Sequence, residues 1–98
     1  MSVSDLLPTS RLTQAKHVHV RQFDGDLVVL DLKNGEYFAL RDVGAVAWTR
    51  MADGKCLRDV AEEVATTHAV TVDVVLHDLL ELGNEWLARG LVELGSDG

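Results

Sequence analysis

A chain of 98 residues with 47% hydrophobic and 26% charged side chains has the composition of one globular domain with a modest core. Its formal net charge of −7 opposes binding to nucleic acid or to an anionic membrane, because both are gripped through clustered Lys and Arg. Cys56 is the single cysteine, so no intramolecular disulfide can form and a reducing cytoplasm suits the chain.

The opening MSVSDLLPTS lacks a basic stretch followed by a long apolar one, so no signal peptide is expected in it. No uncharged apolar run approaches the roughly 18 residues of a membrane helix. Residues 1–16 mix polar and apolar types without a period and contain the only proline, Pro8. They read as a flexible N-terminal arm, and residues 95–98 as a frayed tail.

From His17 to Arg41 the pattern is a three-stranded antiparallel meander: Val18 to Phe23, Leu27 to Leu32 and Glu36 to Leu40, joined at Asp24-Gly25 and Asn34-Gly35. Both dipeptides are strong hairpin signals, because a type I′ turn needs positive φ at its two central residues. A two-residue turn at Asp24-Gly25 sets Val20 opposite Val29 and Gln22 opposite Leu27. One at Asn34-Gly35 sets Lys33 opposite Glu36, Asp31 opposite Phe38 and Val29 opposite Leu40. One sheet face then carries Val18, Val20, Leu27, Val29, Phe38 and Leu40, and is assigned to the core. The other is mixed: His17, His19, Arg21 and Phe23 share it with Val28, Leu30, Leu32, Tyr37 and Ala39.

After Asp42 the period becomes helical. Asp42 is expected to N-cap a helix running to about Met51 and closed by Asp53-Gly54, with Val43, Ala47, Trp48 and Met51 inward. A second helix, from about Cys56 to His68, sets Leu57, Val60, Ala61, Val64 and Ala65 on one stripe. Thr71 caps a third, which runs to about Arg89 with Gly90 beyond it. Its apolar residues Val72, Val75, Leu76, Leu79, Leu80, Leu82, Trp86 and Leu87 cover more than one stripe, so it needs two things to pack against, and a partner can be the second. Leu91, Val92 and Leu94 are expected to cap the core as a short extended segment. Three strands followed by three helices is an α+β order, and three helices beside a small sheet also describe a winged-helix module.

Catalytic chemistry finds little support. Cys56 opens a helix, where a thiol pKa can fall, but a small residue at a helix start is the simpler reading of it. His17 and His19 share a strand face, and Asp73 and His77 lie four apart on a helix. No Cys or carboxylate cluster at ligand spacing accompanies the histidine pair, and Asp73 with His77 also fits a solvated helix surface. No glycine pattern cradles phosphate, and Glu62-Glu63 suits the wet face of the second helix. No metal and no cofactor is expected. What remains is the third strand, EYFAL, which ends the meander and is followed by a helix. Its outer edge should be unpaired, and an open edge beside an over-apolar helix is the layout for adding an extended peptide as a strand. An ordinary edge blunted by Glu36 is the alternative.

The string VVLDLKNGEYFALRDVGAVAWTRMADGKCLRDVAEEVA, with LLELGNEWLARGLVEL further on, resembles the PqqD-like family. The Tyr37-Phe38-x-Leu40 to Gly44-Ala45-x-x-Trp48 segment is its most specific part, and the likeness spans Val18 to Leu94. Arg41 stands where such proteins often carry Asn, and Cys56 where a Thr often opens the second helix.

The resemblance implies a recognition domain over residues 17–94 with a winged-helix-like fold of three strands and three helices. It implies a non-enzymatic adaptor that binds the leader of a ribosomally synthesised, post-translationally modified peptide as an added strand. In the family the leader lies between the third strand and the third helix. By position that site takes in Glu36, Tyr37, Phe38, Ala39 and Leu40 on the strand. On the helix it takes in Val72, Asp73, Val75, Leu76 and Leu79, chosen by period. A stand-alone domain looks most like the leader-binding proteins of lasso-peptide pathways, which serve a separate leader peptidase. Other members serve radical-SAM enzymes, including that of the pyrroloquinoline quinone pathway. A winged-helix nucleic-acid binder, a subunit that dimerises through the mixed sheet face, and a thiol enzyme built on Cys56 stay open beside these readings. The net charge opposes the first.

Overall fold

The computed structural model describes residues 6–95. Along them run β1 (Leu12–Gln14), β2 (Val18–Phe23), β3 (Asp26–Asp31), β4 (Glu36–Leu40), α1 (Asp42–Ala52), α2 (Leu57–His68), α3 (Val72–Ala88) and β5 (Val92–Leu94). The α+β order of a three-stranded antiparallel sheet followed by three helices is as expected, and a second, two-stranded sheet of β1 and β5 is added to it.

Asp24 and Gly25 adopt φ of 47° and 86°, the positive values a type I′ turn demands, and the register follows from them. Val20 pairs with Val29 and Gln22 with Leu27. The second hairpin departs from expectation. Its connection is a four-residue loop, not a two-residue turn, so Asp31 pairs with Glu36, Val29 with Phe38 and Leu27 with Leu40. The Asp31 carboxylate accepts from the Lys33 amide at 3.0 Å, the Asn34 amide at 3.2 Å and the Asn34 side chain at 2.8 Å. Gly35, at φ 70°, closes the loop with its amide 2.8 Å from the Asp31 carbonyl. The slip is two residues, so side-chain parity is preserved and the face assigned to the core stands. Val18, Leu27 and Val29 are buried, and Val20, Phe38 and Leu40 pack against that core half-buried.

Asp42 does not N-cap α1. The cap is Arg41, in extended conformation and without a side-chain bond, and Asp42 is the first helical residue. Its φ of 52° is one that aspartate tolerates better than most. Ala47, Trp48 and Met51 are buried as expected. All five stripe residues of α2, from Leu57 to Ala65, are buried. Thr71 caps α3, its Oγ1 accepting from the Val74 amide at 3.4 Å. Trp48 and Trp86 meet edge to face with centroids 5.0 Å apart, joining α1 to α3 at the centre of the core.

The loose arm expected for residues 1–16 is a packed strap over its described part, 6–16; residues 1–5 lie outside the described chain. Leu6, Leu12 and Ala15 are buried. β1 pairs antiparallel with β5, Leu12 opposite Leu94 and Gln14 opposite Val92. The Pro8 and Ser10 carbonyls accept from the first amides of α2, Arg58 at 2.8 Å and Leu57 at 3.1 Å. They satisfy orphan donors that Cys56, the helix's N-cap, leaves without a side-chain bond. The strap crosses α3 at Gly83, where a Cβ would lie 2.7 Å from Leu6 Cδ1. Of the tail expected to fray, Gly95 donates to the Arg11 carbonyl at 2.7 Å, and residues 96–98 lie outside the described chain.

Candidate functional site: an open strand edge and its groove

The sheet order β2-β3-β4 gives it two edges. The β2 edge is blunted at its start: the Val18 amide donates to the Ala15 carbonyl at 3.1 Å, and Gln14 Nε2 donates to the Val18 carbonyl at 2.8 Å. β4 has no such cover among the described residues. Antiparallel pairing alternates, and Leu32 donating to the His17 carbonyl (2.9 Å) turns His17, His19 and Arg21 toward β3. On β3 the groups facing β4 are then those of Leu27, Val29 and Asp31, which bind Leu40, Phe38 and Glu36. Tyr37 and Ala39 are left with their N–H and C=O directed outward. Glu36 and Tyr37 are exposed, Tyr37 at 72%.

Beside this edge lies a cavity of about 160 Å³. Phe38, Ala39 and Leu40 form its strand wall, Leu91 contributes below, and Leu82, Glu85, Trp86 and Arg89 form its helix wall. These four are spaced i, i+3, i+4, i+7, one face of the last turns of α3. The Arg89 guanidinium sits 5.0 Å from the Phe38 ring centroid, and its Nε lies 3.3 Å from Glu85 Oε2. The arrangement suits an extended peptide: main-chain donors and acceptors in a row, with an aromatic-walled hollow at the side for an alternate side chain.

Of the strand residues expected at the site, Phe38, Ala39 and Leu40 line the cavity, and Glu36 and Tyr37 lie on the same strand outside it. The helix residues are not at the groove. Val75 (5% exposed) and Leu79 (1%) belong to the hydrophobic core. Val72 and Leu76 are half-buried against that core, and Asp73 is exposed. None of the five lines the cavity, which uses the C-terminal half of α3. Periodicity finds the buried face of a 17-residue helix but not which of its turns passes the strand.

Asp31 is a buried charged residue, 2% exposed. Burial pushes its carboxyl up, but the bonds from Asn34 and Lys33, with His17 nearby, outweigh that and hold it below the ordinary carboxylate value. His17 Nε2 lies 3.6 Å from Asp31 Oδ1, while His19 is exposed. No group of three or more metal-ligating side chains gathers among the described residues. Cys56 is buried. Among the described residues no helix is long and apolar enough to cross a membrane. A larger hollow of about 370 Å³ lies between the β2–β3 turn and α1, but Arg50 on its wall is held by Glu63 at 2.7 Å.

The sequence model of coenzyme PQQ synthesis protein D (PqqD) matches residues 26–92. A solved structure of TbiB1 in complex with the TbiA(beta) leader peptide superposes with a TM-score of 0.79 at 25% identity, covering 87% of this chain and 99% of that one. A lasso peptide synthetase B1 complexed with the leader peptide superposes with a TM-score of 0.80 at 26% identity, covering 85% and 98%. No curated protein sequence matches the chain.

Proposed function

The chain belongs to the PqqD family, and from that premise we propose that it is a non-catalytic adaptor of lasso-peptide biosynthesis, binding the leader of a precursor peptide as a strand added to β4. The observation that carries this reading is the uncovered β4 edge flanked by the Phe38–Trp86–Arg89 cavity. That both structural relatives are complexes with leader peptides supports it.

A free leader is disordered, and ordering it costs about 2–5 kcal/mol. Main-chain bonds to Tyr37 and Ala39 offset part of that cost without regard to sequence. Selectivity comes from one large apolar leader side chain entering the cavity against Phe38, Leu82 and Trp86. The bound complex raises the effective concentration of the precursor at a separate leader peptidase. Its docking surface is the outer sheet face, where Tyr37 and Phe23 are 72% and 63% exposed.

Fluorescence polarisation of a labelled leader, taken from a precursor encoded beside this chain, tests the proposal. Saturable binding of the leader at micromolar concentration or tighter, with none for the core peptide or a scrambled leader, is the expected result. No binding to any such leader removes the adaptor reading.

A further inference from the structure

The burial pattern of this sheet does not define one register for β4. With a two-residue turn at Asn34-Gly35, Phe38 would face Asp31 and Leu40 would face Val29. With the observed loop, Phe38 faces Val29 and Leu40 faces Leu27. Both arrangements turn the same side chains inward, because they differ by two residues and side-chain parity has a period of two. Asn-Gly, moreover, favours the arrangement that is not adopted.

The two differ in what becomes of Asp31. Its side chain points to the core face at 2% exposure. In the observed register the loop folds back and supplies three donors within 3.2 Å, two amides and the Asn34 side chain. In the slipped register Lys33 and Asn34 would be drawn into strand and turn, away from the carboxylate. Asp31 would then be buried opposite Phe38 without those partners, which is strongly unfavourable for a carboxylate. His17, 3.6 Å away on the strap side of β2, adds a partner from a second element.

The difference reaches the groove. A two-residue slip moves β4 by about 7 Å along its axis. Phe38 would leave its place under Arg89, and the strand wall of the cavity would go with it. We propose that Asp31 is the positioning residue of the leader site: by clamping the β3–β4 loop it selects the register that sets Phe38 and the outward groups of Tyr37 and Ala39 beside α3. The inference rests on the leader-binding reading for its consequence, and on the free protein for its cause.

Three variants test it, the two at Asp31 each read in two ways. Register is read in the free protein by nuclear magnetic resonance, from the Hα–Hα cross-peak of Leu30 with its partner. That partner is Tyr37 in the observed register and Ala39 in the slipped one. Leader affinity is read by polarisation at a temperature where each variant is folded. Asp31→Leu, which removes the buried carboxylate and suits the apolar face, should keep native circular dichroism. It should show the Leu30–Ala39 peak, alone or mixed, and lose at least about tenfold in affinity, the scale of a lost anchor contact. Asp31→Asn keeps an acceptor for the loop and should retain the Leu30–Tyr37 peak and bind within about threefold of the parent, since one neutral acceptor replaces a charged one. Wild-type register and affinity in Asp31→Leu, or equal losses in Asp31→Leu and Asp31→Asn, overturn the proposal. If Asp31→Leu does not fold, Asn34→Ala decides: this exposed residue should, once truncated, speed amide exchange at Gly35 and Glu36, and unchanged exchange overturns the clamp. Absence of leader binding by the parent protein falls on the adaptor reading alone, because the cross-peaks need no leader.

Discussion

The guanidinium of Arg89 lies 5.0 Å from the centre of the Phe38 ring, so the last turn of α3 reaches across the groove and covers the aromatic wall of β4. The contact is solvent-exposed and worth about 0.5–1 kcal/mol. The accompanying ion pair with Glu85 is between half-exposed side chains and adds little stability. Arg89→Ala should therefore shift the melting temperature by no more than a few degrees. It should weaken leader binding several-fold, because the Arg89 stem covers whatever side chain enters the cavity below it. Affinity unchanged in a polarisation titration would place the leader's anchor elsewhere.

The alternation of β4 makes a second test sharp. The Ala39 amide points away from β3, so Ala39→Pro removes a donor that no other strand of the sheet uses. Proline is tolerated at such an edge position and also blocks an incoming strand. The expected outcome is a native circular dichroism spectrum with leader affinity down by about tenfold or more, from the lost hydrogen bond and the steric block. A variant that still binds normally would mean that the leader does not pair along β4.

Leu79 and Leu82 separate packing from recognition on one helix. Leu79 is 1% exposed within the core, and Leu79→Ala should cost about 2–5 kcal/mol of stability. With the fold intact at low temperature, its leader affinity should match the parent. Leu82 is half-buried on the groove wall, so Leu82→Ala should do the reverse: a small change in urea midpoint and a clear loss of affinity. The opposite assignment of the two phenotypes would move the site toward the N-terminal half of α3.

That contrast also marks where sequence reasoning reaches and where it stops. Asp24-Gly25 announces its turn, and every pair of the first hairpin follows from it. The stripe Leu57, Val60, Ala61, Val64 and Ala65 announces a buried face and is buried. In both cases the local signal and the tertiary fold agree. At Asn34-Gly35 they conflict, since a carboxylate three residues upstream captures the loop amides and outweighs the turn preference. The strap was illegible for another reason. Leu6, Leu12 and Ala15 follow no period because they dock one at a time onto α3 and the core, and β1 is only three residues long. The helix wall of the groove was not legible, since none of the helix residues expected there lines the cavity. The spacing Leu82, Glu85, Trp86, Arg89 is a helical face in plain sight, but its neighbour in space is set by tertiary packing.

The Asp31 carboxyl gives the fold a pH signature of stated sign. Its pKa is lowered in the folded protein, so the native state binds the proton less readily than the unfolded chain. The stabilisation is fully present above the unfolded value and is lost as pH falls through the folded one. Below about pH 4 the urea midpoint of the parent should decline more steeply than that of Asp31→Asn, which has no proton to take up there. Between pH 6 and 8 this group should contribute no slope. Parallel curves for the two proteins below pH 4 would show that the loop bonds do not favour the ionised form.

Gly83 sets two effects of known size against each other. Replacing a glycine inside a helix by alanine stabilises an exposed site by about 1 kcal/mol. At this position the new Cβ would lie 2.7 Å from Leu6 Cδ1 and 3.2 Å from Leu12 Cδ1. Leu6 meets it with the tip of a side chain near the start of the described strap, which can swing aside. Leu12 is 1% exposed and sits in β1 paired to β5, so it has less freedom to give. Overpacking of this kind costs about 1–3 kcal/mol. It should therefore exceed the propensity gain, and Gly83→Ala should lower stability by a small net amount. The loss should be localised. Hydrogen exchange should rise first at the amides of Leu57 and Arg58, whose acceptors are the strap carbonyls of Ser10 and Pro8, while the β2–β4 sheet keeps its protection. A Gly83→Ala protein more stable than the parent would mean that the strap is held too loosely to resist a methyl group.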